Sequence, residues 1–381
     1  MRRFAGPEPH TQMRFSVGDP APLFAASTHT TPAFQFGAAA GRLVVLSFLG
    51  EAKREIFGAL HAELQEFRAV LDDERCCFFG VSLDAGDFAP DGLREDIPGI
   101  RWFHDADGAV SRLYGALQDG ADGLRRYQPF SLLLDHRLRV LASLPLGGEG
   151  LHRHLARLLA TGFALPAPEA AAPAQHQAPV LMVPRVFEPA FCEQLIRHYR
   201  EAGSEESGFM RDHDGKTVGV YDHATKRRRD CTIADESLRR QCMLRIHRRL
   251  VPEIRRAYQF EATRMERYIV ACYEGEHGGH FKAHRDNTTR ATAHRRFAVS
   301  INLNEGYEGG EIWFPEYGRQ LFRPAPGEAV VFSCSMLHEA TPVRSGTRFV
   351  FLPFLYDDAA AATRQETEQY LGGNINAPPG G

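Results

Sequence analysis

The 381-residue chain has no run of about 18 apolar residues, so no segment reads as a membrane-crossing helix. Its opening stretch, MRRFAGPEPHTQMRF, carries basic side chains with no apolar stretch behind them, and so reads as no secretory signal. No sign of charge dominates. The 45 Lys and Arg residues stand against 48 Asp and Glu, a net −3, and such a balance supplies no global field to draw in nucleic acid or an anionic membrane. The seven cysteines are odd in number and scattered, and none forms a CxxC pair, which argues against a disulfide framework and for reduced thiols in a cytoplasm. There is no internal repeat.

What is present is a chain long enough, and at 43 % hydrophobic apolar enough, for two packed domains. Residues 161–179, TGFALPAPEAAAPAQHQAP, are Ala- and Pro-rich without periodicity and read as a linker. The organisation expected is a flexible N-terminus over 1–13, a first domain over 14–160, the linker, a second domain over 180–356, and a polar, glycine-rich tail over 357–381 that reads as disordered. In the first domain, RLVVLSFLG and CCFFGVSLD are short buried strands. EIFGALHAELQEFRAVLDD has apolar residues at helical spacing, with Ile56, Leu60, Leu64 and Phe67 on one face. GAVSRLYGAL and LHRHLARLLA read as helices, and FSLLLDHRLRVLASLPL as two strands about a turn near His136. The pattern is an α/β sandwich around a mixed sheet.

The segments VGDPAPLF, VVLSFLG, GVSLD, WFHDADGAVSRLYGA and QPFSLLLDHRLRV resemble the redoxin family, the peroxiredoxin-like branch of the thioredoxin fold. The resemblance implies a thioredoxin-like α/β domain and sets Pro129 where that family has a cis-proline. The family's nucleophilic cysteine is missing: GEAKREIF stands where the helix after the first long strand begins. Cys76 and Cys77 lie inside an apolar strand and read as inert buried thiols, whereas a peroxidase needs a thiolate of lowered pKa. The domain is expected to serve in docking or stabilisation, without peroxidase activity.

In the second domain VFEPAFCEQLIRHYREAG and SLRRQCMLRIHRRLVPEIRRAYQF each read as one amphipathic helix. Short β-rich segments follow, separated by glycine and proline turns, as in an antiparallel barrel or sandwich that helices pack against. One of them is HFKAHRDN. In an extended strand His284 and Asp286 point to the same face, and an imidazole and a carboxylate aimed at one point suggest a cation between them. His338, in SMLHEATPV, is the third candidate ligand. Two imidazoles and one carboxylate leave three octahedral positions open, the facial arrangement of non-haem Fe(II) oxygenases, where zinc more often keeps one. With RSG at 344–346 as a turn, 338–343 should pair with 347–355 as a hairpin. Arg348 would then lie opposite Pro342, about 13 Å from His338 and pointing the same way. An arginine fork there could hold a carboxylate.

HRDN, EGGEIWFPE, PAPGEAVVF and HEATPVRSGTRFVF together resemble the prolyl 4-hydroxylase-type branch of the Fe(II)/2-oxoglutarate dioxygenases, over roughly 180–356. The resemblance implies an α+β double-stranded β-helix, or jelly roll, with flanking helices. It makes His284, Asp286 and His338 the iron ligands and Arg348 the partner of the 2-oxoglutarate C5 carboxylate. Tyr273 takes the position of a tyrosine that helps bind 2-oxoglutarate, or is a core tyrosine; Asn302 stands where some relatives carry a second tyrosine. His277 and His280 are read as lining the pocket or facing solvent. Implied partners are O2, 2-oxoglutarate as co-substrate, ascorbate as reductant, and a protein, peptide or small-molecule substrate. A prolyl residue is the first substrate class and a free amino acid or metabolite the second. KRRRD at 226–230 and the arginines up to 256 raise a nucleic-acid demethylase, but they read as a solvated helix face plus a loop, and the further downstream arginine of nucleic-acid-repair relatives is missing. A non-enzymatic metal-binding scaffold is the remaining alternative.

Overall fold

The computed structural model describes residues 15–50, 54–89, 92–120, 124–147, 153–165 and 177–375. Their contacts group into two compact units, one on each side of 166–176. The expected N-terminal segment 1–13, most of the linker, residues 51–53 of the GEAKREIF stretch and residues 376–381 lie outside the described residues.

The first unit is built on a five-stranded sheet of β1 (Leu43–Gly50), β2 (Cys76–Ser82), β3 (Ile100–His104), β4 (Phe130–Leu134) and β5 (Val140–Pro145), in the order β3-β2-β1-β4-β5. β1, β2 and β3 are parallel, β4 runs against them, and β5 runs against β4 and so in the direction of β1. Both faces are covered, which is why β1 and β2 are continuous apolar runs. Val44, Leu46 and Phe48 feed one core cluster and Val45 and Leu49 the other. α1 (Arg54–Glu66), α2 (Ala109–Leu113) and α3 (His154–Phe163) complete a thioredoxin-like α/β fold. The helix expected from GAVSRLYGAL is short, because its chain turns at Tyr114 and Gly115 into the strand Leu117–Asp119. Pro129 is not a cis-proline. The cis bond of the described residues is Ile97–Pro98, while the Pro129 carbonyl accepts from Leu146 at 2.9 Å and prolongs the β4–β5 ladder.

The second unit is a jelly roll of two antiparallel sheets. The larger includes β6 (Arg229–Thr232), β7 (Ile269–Glu274), β9 (Phe297–Asn302), β10 (Ala329–Ser333) and β12 (Thr347–Phe351), in the order β10-β9-β12-β7-β6. The smaller joins Lys226–Arg227, β8 (His280–His284), β11 (His338–Ala340), Ile312–Trp313 and Leu321–Phe322 in that order. Alternation along the larger sheet decides its two faces. Val270, Cys272, Val299, Ile301, Phe349 and Phe351 pack with Leu195, Ile246 and Ile254 of the helices. Ala271, Tyr273, Ser300, Arg348 and Val350 therefore point the other way.

Four expectations are corrected here. The hairpin of 338–343 with 347–355 does not form: β11 pairs with β8, Val343–Ser345 pairs with Glu308–Gly309, and β12 pairs with β7 and β9. Pro342 cannot donate to a ladder. Gly346, at φ 71°, approaches the Gly306 carbonyl so closely that a Cβ would lie 2.3 Å from it. The chain thus changes sheets between His338 and Arg348. The segment read as one helix after Ser237 is two, α5 (Glu236–Arg249) and α6 (Val251–Tyr258), since Pro252 cannot continue the hydrogen-bond ladder of α5. α4 (Pro189–Ala202) forms as expected. KRRRD is not a solvated loop, because Lys226 and Arg228 are buried. The tail is ordered through Ile375. Asp357 caps α7 (Asp358–Thr367), its carboxylate accepting from Ala360 N at 2.8 Å, and Leu371–Ile375 pairs in parallel with Lys216–Val220.

Candidate metal centre and its pocket

His284 and His338 are direct partners across β8 and β11, so the pairing alone brings the imidazoles together, with ring centroids 4.2 Å apart. Asp286 falls in the turn after β8 rather than on the strand, and its backbone N–H donates to the Cys334 carbonyl at 3.0 Å. Each imidazole donates from Nδ1 to a backbone carbonyl: His284 to Lys282 at 2.7 Å and His338 to Met336 at 3.1 Å. That fixes the tautomer and frees both Nε2 lone pairs. Nε2 of His284 is 3.6 Å from Asp286 Oδ1, and Nε2 of His338 is 3.3 Å from Asp286 Oδ2. One donor atom from each residue lies within 4.8 Å of the other two. Burial pushes the Asp286 carboxyl up, but His338 and His284 outweigh it and hold the group below the usual carboxylate range. Burial takes His338 down to about 4, against the opposing pull of Asp286, leaving a neutral imidazole at pH 7. An ionised carboxylate and two imidazoles whose Nε2 atoms are free to ligate are the donor set a divalent cation requires.

Arg348 comes from the facing sheet. It is 2 % exposed and sits directly across from Tyr273 on β7, whose ring lies 5.5 Å from its guanidinium carbon. Nη2 donates to Ser300 Oγ at 3.2 Å, and Nε has no partner. Among the described residues no carboxylate pairs with this buried cation. An unpaired buried charge is costly, so the arrangement favours an anionic ligand. Arg348, Tyr273, His284, Asp286 and His338 all border one pocket of about 550 Å³.

Arg228 and Arg267 also border this pocket, and Arg228 belongs to a short run with alternating burial. Lys226, Arg228 and Asp230 point inward, with Arg227 and Arg229 exposed between them. Arg228 donates to both Asp230 oxygens at 2.7 Å and from Nη1 to the Tyr273 hydroxyl at 3.3 Å. It thereby orients that hydroxyl. Arg267 borders the pocket from the corner between Arg264–Glu266 and β7. The alternation of 226–230 was the readable signal for a strand; nothing in the sequence marked Arg267. His277 is exposed and His280 bonds to backbone carbonyls of Gly278 and Ala224; neither borders the pocket. Asn302 is buried in a bond from the Tyr307 hydroxyl at 3.0 Å and also stays outside it.

A jelly roll carrying two histidines and an aspartate beside a buried arginine defines the class. Residues 268–356 match the family model of the 2OG-Fe(II) oxygenase superfamily, and this part of the chain is a 2OG-Fe(II) oxygenase domain. The chain is 36 % identical over 83 residues to a PKHD-type hydroxylase of Shewanella oneidensis, covering 20 % of this chain and 36 % of that protein. It is 32 % identical over 90 residues to PKHD-type hydroxylase PiuC of Pseudomonas aeruginosa, covering 21 % and 39 %. The chain thus spans well under half the length of the curated relatives it matches. Similar solved structures include a Trichoplax adhaerens prolyl hydroxylase in complex with a hypoxia inducible factor oxygen degradation domain peptide fragment. Identity is 17 %, coverage 48 % of this chain and 86 % of that one, and the TM-score 0.37. Another is Peroxidoxin BcpB of Mycobacterium tuberculosis, with 19 % identity, 40 % and 100 % coverage, and a TM-score of 0.32. The fold assignments rest on the strand order and register given above.

Proposed function

We propose that the second unit is an Fe(II)- and 2-oxoglutarate-dependent hydroxylase. His284, Asp286 and His338 would hold the metal, and Arg348 and Tyr273 the distal carboxylate of 2-oxoglutarate. The observation that carries the reading is Arg348: a buried guanidinium with an unpartnered Nε, facing the same pocket as three converging metal-ligating side chains. When bound, Fe(II) with 2-oxoglutarate and O2 supplies the oxidising power to hydroxylate a C–H bond, with succinate and CO2 as co-products. The residues of the chain perform three tasks. The Nδ1–H bonds to Lys282 and Met336 hold both imidazoles in the ligating tautomer. The Arg228 guanidinium keeps the Tyr273 hydroxyl turned to the pocket. Phe281, Ile312, Phe332 and Phe354 line the apolar remainder and limit water. On the family resemblance, a prolyl side chain in a peptide is the first substrate class and a free amino acid or small metabolite the second, with ascorbate as reductant.

The first unit we take to be catalytically silent. Cys76 and Cys77 are buried; burial pushes the Cys76 thiol up to about 12 and raises Cys77 further still. All seven thiols are buried and unpaired, which fits a reducing, cytoplasmic setting. No helix among the described residues is long and apolar enough to cross a membrane.

The test is spectroscopic. Anaerobic addition of Fe(II) and 2-oxoglutarate should give a metal-to-ligand charge-transfer band that neither gives alone. A protein that binds Fe(II) and yields no band with 2-oxoglutarate would leave only the scaffold reading.

A further inference from the structure

The pocket carries one cation more than the proposed cofactors use. Arg348 is assigned to 2-oxoglutarate, and Arg228 is matched by the two-oxygen bond to Asp230. Arg267 is the third arginine on the pocket wall. Its ion pair is a single contact of 3.4 Å from Nη2 to Asp230 Oδ2, an oxygen already engaged by Arg228 at 2.7 Å. Its guanidinium lies 5.3 Å from the centre of the Phe354 ring, whose other neighbour is Arg295 at 4.1 Å. The side chain is 30 % exposed, so most of the five donors of the fork remain available. Two carboxylates border the pocket: Asp286 belongs to the converging triad, and Glu339 follows His338 on β11 and by strand alternation points to the sheet's opposite face.

The backbone supports the same reading. Arg267 has φ 62°, a left-handed conformation that strains a side-chain-bearing residue. It occupies the corner between two strands, where the turn swings the guanidinium over Phe354. Burial and the neighbouring Arg228 lower the pKa of Arg267 to about 10, so it stays charged at neutral pH.

We infer that Arg267 is a specificity-determining residue that receives a carboxylate of the substrate, so that this site takes an anionic substrate. The carboxylate belongs to a free amino acid or to the acidic side chain or C-terminus of a peptide; a planar fork with free parallel donors suits that group. The inference rests on the hydroxylase reading above.

The experiment uses the full chain loaded anaerobically with Fe(II) and 2-oxoglutarate, the charge-transfer band serving as the sign of loading. Calorimetry then compares three matched pairs: L-proline with L-prolinamide, acetyl-Pro-Ala with its C-terminal amide, and acetyl-Ala-Pro-Glu-Ala-amide with the Gln counterpart. At least one carboxylate is expected to bind tenfold or more tightly than its amide, and the pair that discriminates identifies the source. In Arg267→Gln that ratio should fall to about one, with part of it restored in Arg267→Lys. A loaded wild-type protein that binds acid and amide equally in all three pairs overturns the inference and leaves the hydroxylase reading standing, whereas absence of the band removes both. Discrimination that survives in Arg267→Gln would assign the carboxylate to another residue and overturn it as well.

Discussion

Each unit buries an imidazole held near pKa 4, and the two histidines differ in one respect that separates scaffold from site. In the first unit His154 Nε2 hydrogen-bonds to Ser131 Oγ at 2.8 Å, and Ser131 Oγ to Ser47 Oγ at 2.6 Å. Glu63 on α1 accepts from the backbone N–H groups of His154 and Ala156 at 2.8 and 3.0 Å, satisfying the start of α3. Every partner in that cluster is supplied by the chain. In the second unit His338 Nε2 meets only a carboxylate oxygen at 3.3 Å, and Arg348 close by has no counter-ion. A buried polar group that is satisfied binds elements together; one left open costs stability until a ligand arrives. Burial and pKa are alike in the two places, so neither marks a functional residue without a count of partners.

Breaking the open site should have the largest effect. His284→Ala removes one of three donors, and substrate-dependent succinate release is expected to fall to background while the thermal transition of the protein stays. Arg348→Met divides the comparison in two. The 2-oxoglutarate requirement should rise roughly 100-fold or more, as when one partner of a buried charge pair is lost. The cofactor-free protein should gain about 1–2 kcal/mol of stability, because an uncompensated buried cation has been replaced by a packed apolar chain. Urea denaturation with and without 2-oxoglutarate reads both effects, and a destabilised cofactor-free Arg348→Met protein would show that Arg348 has an internal partner after all.

The closed site gives the opposite sign. His154 is held at about 4, chiefly by burial and further by Arg157, against an ordinary 6.5. The unfolded chain takes up a proton near pH 6.5 that the folded chain refuses until about 4. The resulting stability is present above pH 6.5 and lost as the pH falls towards 4, amounting to about 3 kcal/mol. In His154→Gln the stability of the first unit should be lower at pH 7 and much flatter between pH 7 and 4. An unchanged slope would place the acid sensitivity elsewhere.

Much of this was legible in the sequence because it is local. The apolar runs of β1 and β2, the turn at His136 and the His-x-Asp spacing are set by neighbouring residues. So is the approach of His284 to Asp286, although it is achieved through a turn rather than along a strand. What depends on which sheet a strand joins was not legible. Arg348 reaches the pocket from the sheet facing His338, so the hairpin reasoning gave a sound partner by a wrong route. The run 226–230 was read by its charge when its period of two was the informative feature: Lys226, Arg228 and Asp230 face inward. Arg267 depends on a left-handed residue at a strand corner, and no spacing encodes that.

The smallest expected effect lies where the open and closed patterns meet, at Tyr273. Its hydroxyl is satisfied by Arg228 at 3.3 Å, and its ring backs the unsatisfied Arg348. Tyr273→Phe keeps the ring and the strand pairing and removes one hydrogen-bonding group. Loss of a neutral bond costs about 0.5–1.5 kcal/mol, so the 2-oxoglutarate requirement should rise roughly 2- to 10-fold, with kcat little changed. If the hydroxyl serves only the core, the variant will lose stability and keep its 2-oxoglutarate dependence, because the Arg228 donor will be left buried without an acceptor. The two outcomes separate in one titration: a shifted half-saturation for 2-oxoglutarate at unchanged denaturation midpoint places Tyr273 with the open site, and the reverse places it with the frame around it.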